Sequence, residues 1–281
     1  MIIWLASYPK SGNTFLRSLL SGYFFSKDGL FNFDLLNNID QYPSPSYFEK
    51  YKDLFNKPEG TSKYWLKEQV RINADKKLRF FKTHNALCKI DNNSFTDKQN
   101  TLGAIYIVRD PRNILSSLAH HYQINNKDAF EFMKDQKRSI VEKKQDRFLG
   151  FNALFSWSFH QKSWSECQKF PILTIKYEDL QKDPFITFKK ILEFIHSVSN
   201  LKHVFNEQKF KTAIQTCNFN RLQKLEEKKG FDEAVTKKGS SDKIKFFNLG
   251  NKNNYKNILG QEMINEMNLY YKEELKKYRY N

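Results

Sequence analysis

The chain has 281 residues, which is long enough for one large domain with a sizeable core. A hydrophobic fraction of 40% and an aromatic fraction of 16% are typical of a globular protein and exclude a disordered one. The 47 Lys and Arg residues outnumber the 31 Asp and Glu residues, and the formal net charge of +16 favours anionic ligands. Codon bias toward lysine accounts for this charge equally well, so the charge alone is a weak indication.

Cysteine use and hydropathy bear on the compartment. The three cysteines are far apart and form neither a metal-binding spacing nor a disulfide framework: Cys88, Cys167 and Cys217. The apolar start of the chain is too short for a signal peptide, and no apolar run reaches the roughly twenty residues that span a bilayer. The sequence therefore predicts a cytoplasmic protein without a membrane span.

Hydrophobic patterns predict strands that alternate with helices. Short apolar runs rich in β-branched and aromatic residues predict buried strands at 2–7, 78–83, 103–108 and 172–177. Helical periodicity predicts helices at 14–25, 64–75, 112–122, 148–169, 185–196 and 261–278. This alternation indicates βαβ units. We therefore predict a single α/β domain over 1–281, with a central parallel β-sheet flanked by helices.

Three segments depart from this pattern and are predicted to be lids or parts of an acceptor pocket: 28–62, 123–147 and 226–245. The first is aromatic and broken by prolines, the second is read as a solvated helix or mobile loop, and the third as a flexible flap. Four aromatic residues are candidates for a pocket wall or equally for the core: Tyr42, Tyr47, Phe48 and Trp65.

The stretch SYPKSGNTF, residues 7–15, joins the first predicted strand to the first predicted helix, and we call it the phosphate loop. Pro9 fixes a turn, Gly12 permits close approach, and the free N–H groups of the following helical turn favour an anion. Lys10 adds a positive charge. The alternative is an ordinary capped helix after a turn, with a solvated lysine.

The spacing in this loop differs from that of a nucleoside triphosphatase. A Walker A loop has its lysine directly after the second glycine, whereas Lys10 here precedes Gly12. No apolar strand ends in the lone acid that would hold magnesium, because Arg109 separates Asp110 from its strand. The loop therefore predicts a phosphate ligand that needs no magnesium bridge.

SYPKSGNTF resembles the TYPKSGTTW loop of the sulfotransferases that use 3′-phosphoadenosine 5′-phosphosulfate (PAPS). The resemblance implies a P-loop-like nucleotide-binding fold. It also implies that the 5′-phosphosulfate is lined by Lys10, Ser11, Gly12, Asn13 and Thr14. Phe15 stands where the family usually has Trp and would lie near the adenine; Asn13 replaces a Thr.

Two further segments resemble donor-binding motifs of the family. GAIYIVRDPRNILSSLAHHY (103–122) implies that Arg109 and Ser117 contact the 3′-phosphate, and an Arg fork on phosphate oxygens is physically reasonable. The alternative for Arg109 is an ion pair at the strand end. ILTIKYEDLQKDP (172–184) places Tyr177 beside the adenine, although YEDL could simply cap a strand.

LRFFKTHNALCKI (78–90) resembles the strand whose Lys-x-His tripeptide carries the family's catalytic base. The resemblance makes His84 the base and puts Lys82 near the sulfuryl oxygens, with Lys10 stabilising the leaving phosphate. A neutral imidazole suits deprotonation of an alcohol or phenol at neutral pH. The family's Leu-Pro is replaced by Asn85-Ala86, which indicates an altered acceptor pocket.

The last two matches are weaker. In TCNFNRLQ (216–223), Phe219 is the candidate for stacking on the base. FFNLGNKNNYKN (246–257), which we call the C-terminal motif, matches the family at Gly250, and Tyr255 replaces a Trp. The Arg and Lys that usually precede this glycine are Asn248 and Leu249, so two charges toward the 3′-phosphate are missing.

Together these segments predict a sulfotransferase that moves a sulfuryl group from PAPS, as co-substrate, to a hydroxyl or amine, releases PAP and uses no metal. The acceptor would be a small molecule, lipid or glycan. The family's dimer motif is absent at Gly260-Gln261, so the oligomeric state stays open. The alternatives are an ATP-dependent kinase, a basic nucleic-acid-binding protein and an inactive relative.

Overall fold

A computed structural model describes residues 1–53, 55–199 and 204–280; Leu54, within the predicted segment 28–62, lies outside them. The chain forms two compact units. The first unit consists of Met1–Asn13, Asn38–Val108 and Asp135–Phe205, and the second of Thr14–Asn37, Arg109–Lys134 and Asn206–Asn281.

Strands and helices alternate along the described residues. The strands are β1 (Ile2–Ser7), β2 (Asp40–Gln41), β3 (Arg79–Thr83), β4 (Lys89–Ile90), β5 (Asn93–Ser94), β6 (Thr101–Val108), β7 (Ser139–Lys144), β8 (Arg147–Ala153) and β9 (Ile172–Lys176). The α-helices are α1 (Asn13–Phe25), α2 (Pro45–Phe48), α3 (Trp65–Ile72), α4 (Pro111–Tyr122), α5 (Asn126–Lys134), α6 (Trp157–Ser165), α7 (Tyr177–Lys182), α8 (Pro184–Ser199), α9 (Glu207–Thr216), α10 (Phe219–Lys229), α11 (Tyr255–Ile258), α12 (Gln261–Tyr270) and α13 (Lys272–Tyr278). Short 3₁₀ helices lie at Phe33–Asn38, Pro58–Tyr64 and Gly250–Lys252.

The first unit is built on a five-stranded parallel sheet in the order β2-β3-β1-β6-β9. Strand β1 lies at its centre, and Ile2–Ala6 are fully buried, which fits an apolar strand covered on both faces. In the register of β1 with β3, Ala6 pairs with Thr83. The carboxyl ends of these parallel strands therefore bring Ser7 and His84 to the same edge of the sheet.

Helices cover both faces of this sheet. A Cβ on Gly103 of β6 would lie 3.0 Å from the Phe194 ring of α8. Tyr106, three positions along β6, stacks on Trp164 of α6 with ring centroids 6.4 Å apart. Because alternate residues of a strand point to opposite faces, α8 and α6 lie on opposite sides of the sheet. The predicted central parallel sheet flanked by helices is confirmed.

The second unit is helical. The buried side of α1 carries Leu16, Leu19 and Tyr23, and the Tyr23 ring meets Phe210 of α9 edge-on at 6.4 Å. Segment 226–250 is anchored by a cluster of phenylalanine rings. Its members are Phe33, Phe231, Phe246 and Phe247. Phe231 is the member of this cluster that lies within the predicted flap 226–245, and its side chain is buried, so the flap is anchored there.

The four predicted strands all occur, within two residues of their predicted ends, but the helix predicted at 148–169 is wrong in its first part. Residues Arg147–Ala153 form β8, which pairs antiparallel with β7, and the helix α6 begins only at Trp157. Residues 149–153 are all buried, which is typical of a strand covered on both faces.

Two other segments differ from the prediction: 123–147 has regular secondary structure, and 261–278 is two helices and not one. Segment 123–147 contains α5, whose Phe130 and Met133 are buried, and then β7. The helix predicted at 261–278 is two helices, α12 and α13, divided at the fully buried Tyr271. In the described ranges, no helix combines the length and apolarity needed to cross a membrane.

Candidate active site

The backbone of the phosphate loop has the shape of an anion cradle. The Ser11 N–H donates to the Tyr8 carbonyl at 3.3 Å, which closes a turn over Pro9 and Lys10. Lys10 has φ +67° and Gly12 has φ +97°, and both values lie in the left-handed region. Successive N–H groups in such a turn line a concavity that favours an anion.

Gly12 is required at its position for a second reason, the nearby Tyr177. A Cβ built on Gly12 would lie 2.2 Å from Cδ2 of the Tyr177 ring, so no larger residue fits without moving that ring. Tyr177 is the first residue of α7, directly after β9. The structure thus places this predicted donor residue against the phosphate loop itself.

The side chains of the loop divide into two roles. The Ser11 hydroxyl is buried, and among the described residues it has no hydrogen-bond partner, which is costly unless a ligand supplies one. Asn13 turns its amide back to β1, donating to the Leu5 carbonyl at 2.8 Å and to Ser7 Oγ at 3.2 Å. Because both amide hydrogens are engaged there, Asn13 anchors the start of α1 and offers a ligand its backbone N–H.

His84 is held beside the start of the phosphate loop. Its Nδ1 lies 2.7 Å from the Ser7 carbonyl oxygen and 3.4 Å from Ser7 Oγ. A carbonyl oxygen only accepts, so Nδ1 must carry the proton. In the neutral ring Nε2 then bears the lone pair, which makes it the basic atom.

The two predicted catalytic lysines belong to the same unit as His84. Lys82 lies near the end of β3, two residues before His84, and is 7% exposed. Lys10 is half-buried at the turn of the phosphate loop. The structure thus brings Lys10, Lys82, His84 and Tyr177 into one unit with the loop.

The remaining predicted donor residues belong to the second unit. Thr14 and Phe15 lie in the first turn of α1, the former buried and the latter half-buried. Thr14 Oγ1 donates to the Glu233 carboxylate at 3.4 Å, and the same carboxylate forms an ion pair with Arg17 one turn onward. The side chain of Arg17 is 6% exposed, so Glu233, from segment 226–245, neutralises a buried cation.

Arg109 is buried directly after β6, and α4 begins two residues later. The Asp110 carboxylate caps α4 by accepting from the Arg112 backbone N–H at 2.9 Å. It also forms an ion pair with the Arg112 guanidinium at 2.7 Å. This guanidinium lies over the Tyr255 ring, 4.0 Å from the ring centroid. Tyr255 therefore has a packing role in this unit.

Ser117 lies half-buried on α4, where Asn253 holds its hydroxyl. Asn253 Nδ2 donates to Ser117 Oγ and to the Asn113 carbonyl, both at 3.0 Å. Its Oδ1 accepts from Ser116 Oγ at 2.6 Å. The C-terminal motif is thus attached to α4 through an asparagine.

The C-terminal motif also reproduces a glycine under an aromatic ring. Gly250 has φ +53°, and a Cβ there would lie 2.5 Å from the Phe219 ring at the start of α10. Asn248 and Leu249, which replace the two expected cations, are exposed.

Comparison with known proteins decides the family. The family model described as Sulfotransferase domain matches residues 2–279. The chain belongs to the sulfotransferase domain family. The prediction of a sulfotransferase is thereby confirmed, in preference to the kinase and nucleic-acid-binding alternatives.

This member of the family is distantly related to curated enzymes. It is 23% identical to flavonol 3-sulfotransferase of Flaveria bidentis over 97% of the chain and 81% of that protein. It is 24% identical to cytosolic sulfotransferase 3 of Arabidopsis thaliana over 98% of the chain and 77% of that protein. Its fold matches mouse sulfotransferase SULT7A1 complexed with PAP, with a TM-score of 0.57, 17% identity and coverage of 98% of the chain and 84% of that structure.

Of the two interpretations of the four aromatic residues, pocket wall or core, the structure supports the core for three. Tyr42, Phe48 and Trp65 are fully buried and belong to the core of the first unit. Tyr42 donates its hydroxyl to the Trp65 carbonyl at 2.7 Å, and its ring packs near Phe48. Tyr47 is half-buried and donates to Asp40, so only this residue of the four keeps some exposure.

Three residues of the two motif regions escaped the sequence analysis: Arg17, Glu233 and Asn253. Arg17 lies one helical turn after Asn13, and a cation on that apolar helix is the signal that could have marked it. Asn253 and Glu233 lie in polar stretches in which no local pattern distinguishes them. Within the described residues, no cluster of His, Cys, Asp and Glu is suited to a metal ion.

Proposed function

We propose that this chain transfers the sulfuryl group of PAPS to a hydroxyl or amine of a small-molecule, lipid or glycan acceptor, with His84 as the base. One observation carries the proposal. Ser7 is the residue at which β1 becomes the phosphate loop. Its carbonyl oxygen accepts a hydrogen bond from His84 Nδ1, and the two atoms are 2.7 Å apart. The basic Nε2 is therefore fixed beside the loop that would hold the donor phosphosulfate.

The phosphate loop fits the 5′ end of the donor. The Ser11 hydroxyl, which has no hydrogen-bond partner within the described ranges, and the left-handed backbone at Lys10 and Gly12 provide donors for anionic oxygens. Lys10 stabilises the charge that develops on the departing 5′-phosphate, and Lys82 contacts the sulfuryl oxygens. PAPS supplies an activated sulfuryl group to this arrangement.

His84 carries the proton transfer. As the acceptor oxygen or nitrogen forms its bond to sulfur, its proton passes to His84 Nε2, and the bond from sulfur to the 5′-phosphate oxygen breaks to release PAP. The transfer is in line and loose, so the protein contributes mainly positioning and charge stabilisation.

The nucleoside end of the donor is assigned to residues of the other motifs in this proposal. Arg109 and Ser117 contact the 3′-phosphate, which the motif around Gly250 also faces, while Phe15 and Phe219 line the adenine. Tyr177 packs on Gly12 and so supports the loop as well as the donor. The resemblance of these segments to the family's donor motifs supports the assignments.

The acceptor and the compartment are proposed more coarsely. Segments 28–62, 123–147 and 226–245 are assigned to the acceptor side, and the related flavonol 3-sulfotransferase supports a small hydroxylated acceptor. We place the protein in the cytoplasm. Three free cysteines and the related cytosolic sulfotransferase 3 support that assignment.

Thermal melts with three ligands test the donor. We expect PAP to stabilise the protein by about 2.7 kcal/mol at a hundredfold excess over its Kd, and expect no stabilisation by ATP with magnesium or by an oligonucleotide. Stabilisation by ATP with magnesium alone would contradict the proposal.

The His84→Ala variant should lose about 10²–10⁴-fold in kcat while PAP still binds, and His196→Ala is its matched control.

A further inference from the structure

Helix α6 holds the backbone segment that carries the catalytic base. Three of its side chains, spaced so that they share one helix face, bond to the main chain of residues 84–87. His160 Nε2 lies 3.1 Å from the His84 carbonyl oxygen, Trp164 Nε1 donates to the Asn85 carbonyl at 3.0 Å, and Ser163 Oγ accepts from the Leu87 N–H at 3.0 Å.

His160 is the member of this set that bonds to the base itself. It is fully buried, and its ring is met edge-on by Tyr8 of the phosphate loop at 5.4 Å. Because the His84 carbonyl only accepts, His160 Nε2 must carry the proton. His160 Nδ1 then accepts from the Tyr106 hydroxyl at 3.0 Å, and Tyr106 belongs to β6.

The two hydrogen bonds fix one tautomer of a neutral ring. Burial lowers the pKa of His160 to about 3, so the ring stays uncharged throughout the pH range in which His84 acts as a base. The groups that face it are the Tyr8 ring, the Tyr106 hydroxyl and the His84 backbone. His160 is thus a rigid link from the sheet to the peptide unit of His84.

We infer that Tyr106 and His160 are positioning residues for the base. The Tyr106 hydroxyl orients His160, and His160 fixes the His84 carbonyl. His84 then keeps its Nδ1 proton directed to the Ser7 carbonyl, so that Nε2 is the ring nitrogen without a proton. This inference rests on the proposed function only for what His84 does, since the hydrogen-bond chain is a property of the fold.

Two substitutions at His160 separate positioning from packing. His160→Phe keeps a planar ring but removes the donor to the His84 carbonyl, whereas His160→Gln keeps an N–H donor. We expect His160→Phe to lower kcat by about 10²-fold, with the acceptor KM and the PAP Kd within a factor of two of wild type. His160→Gln should restore at least a tenth of wild-type kcat. His196→Gln, on α8, is the matched control.

A readout independent of turnover is the protonation pattern of His84, observed by ¹⁵N NMR of protein labelled at its six histidines. In wild type and in His160→Gln, His84 should show a protonated Nδ1 and an unprotonated Nε2. In His160→Phe, His84 should show a mixture of the two tautomers. If His160→Phe is unfolded, Tyr106→Phe, which removes only a hydroxyl, should show the mixture instead. A wild-type pattern in every folded variant would overturn the inference. Wild-type protein that does not bind PAP would refute the proposed function and leave the NMR test standing.

Discussion

The phosphate loop and the C-terminal motif use the same backbone device with different charges around it. In each, a glycine in the left-handed region lies under an aromatic ring, Gly12 under Tyr177 and Gly250 under Phe219. The phosphate loop keeps its lysine. The C-terminal motif has exposed neutral residues in place of its expected cations, and it is attached to α4 through Asn253.

In the proposed donor site, this difference separates the contribution of backbone shape from that of charge. A glycine at positive φ, with no room for a Cβ, defines where the chain can approach a ligand closely. The charges that add affinity come from side chains that can be replaced without altering this shape. The phosphate loop should therefore dominate donor binding, and the C-terminal motif should contribute less.

Substitution of the two glycines compares the regions directly and has the largest expected effect. Gly12→Ala and Gly250→Ala should each lower the free energy of unfolding by about 2–4 kcal/mol, from backbone strain and overpacking. Gly12→Ala should also weaken PAP binding by about 10²-fold, because it moves the N–H groups of the cradle. Gly250→Ala should weaken PAP binding by about tenfold or less. Calorimetry and urea unfolding measure both quantities.

The double variants Gly12→Ala/Tyr177→Ala and Gly250→Ala/Phe219→Ala serve as controls. Removing the ring relieves the clash but not the positive φ, so each double variant should recover part of the loss in stability. Equal losses of PAP affinity in the two single variants would show that the regions contribute equally and that the missing cations do not matter.

An ion pair between α1 and segment 226–245 gives the next largest effect. Arg17 is buried and Glu233 neutralises it, so Arg17→Met or Glu233→Gln should each lower the unfolding free energy by about 1–3 kcal/mol. The double variant should lose less than the sum, with a coupling of about 1–2 kcal/mol. Urea unfolding of the four proteins measures this coupling, and additive losses would mean that the contact contributes nothing to stability.

Local patterns in the sequence predicted the frame of the site. The strand before the phosphate loop, the turn at Pro9 and the strand that ends directly before His84 are each defined by residues close together in the chain. The helix predicted over β8 failed because a short apolar run with Phe and Leu fits either period, and the pairing with β7 decided between them.

The contacts that hold the candidate residues in place join residues distant in sequence. His160 is 76 positions from His84, Asn253 is 136 from Ser117, and Glu233 is 216 from Arg17. Such pairings depend on how the elements pack, and no periodicity or motif within one segment encodes them. The same limit explains why the sequence left pocket wall and core open for Tyr42, Phe48 and Trp65, which all lie in the core.

The free energy of unfolding should depend on pH through His160, which supports the region around His84. Segment 226–257 contains no histidine and should not contribute in this way. The folded-state pKa of His160 is about 3, below the unfolded value of about 6.5, so below pH 6.5 the unfolded state binds more protons. Stability from this group is therefore present above pH 6.5 and is lost as the pH falls toward 3. Between pH 7.5 and 5.5, wild type should lose about 1.4 kcal/mol more than His160→Gln. Equal losses in urea unfolding would mean that the pKa of His160 is not lowered by folding.

The smallest expected effect comes from restoring charge to the C-terminal motif. Asn248→Arg/Leu249→Lys places two cations at exposed positions next to Gly250, whose backbone shape is already present. An exposed ion pair contributes at most about 1 kcal/mol, so PAP binding should tighten by about fivefold and its salt dependence should steepen. Asn248→Gln/Leu249→Gln controls for side-chain size.

The same titration with 5′-AMP, which lacks the 3′-phosphate, decides what the motif faces. A gain for PAP alone places the 3′-phosphate beside residues 248–250, whereas an equal gain for 5′-AMP would reduce the effect to general attraction and refute that placement.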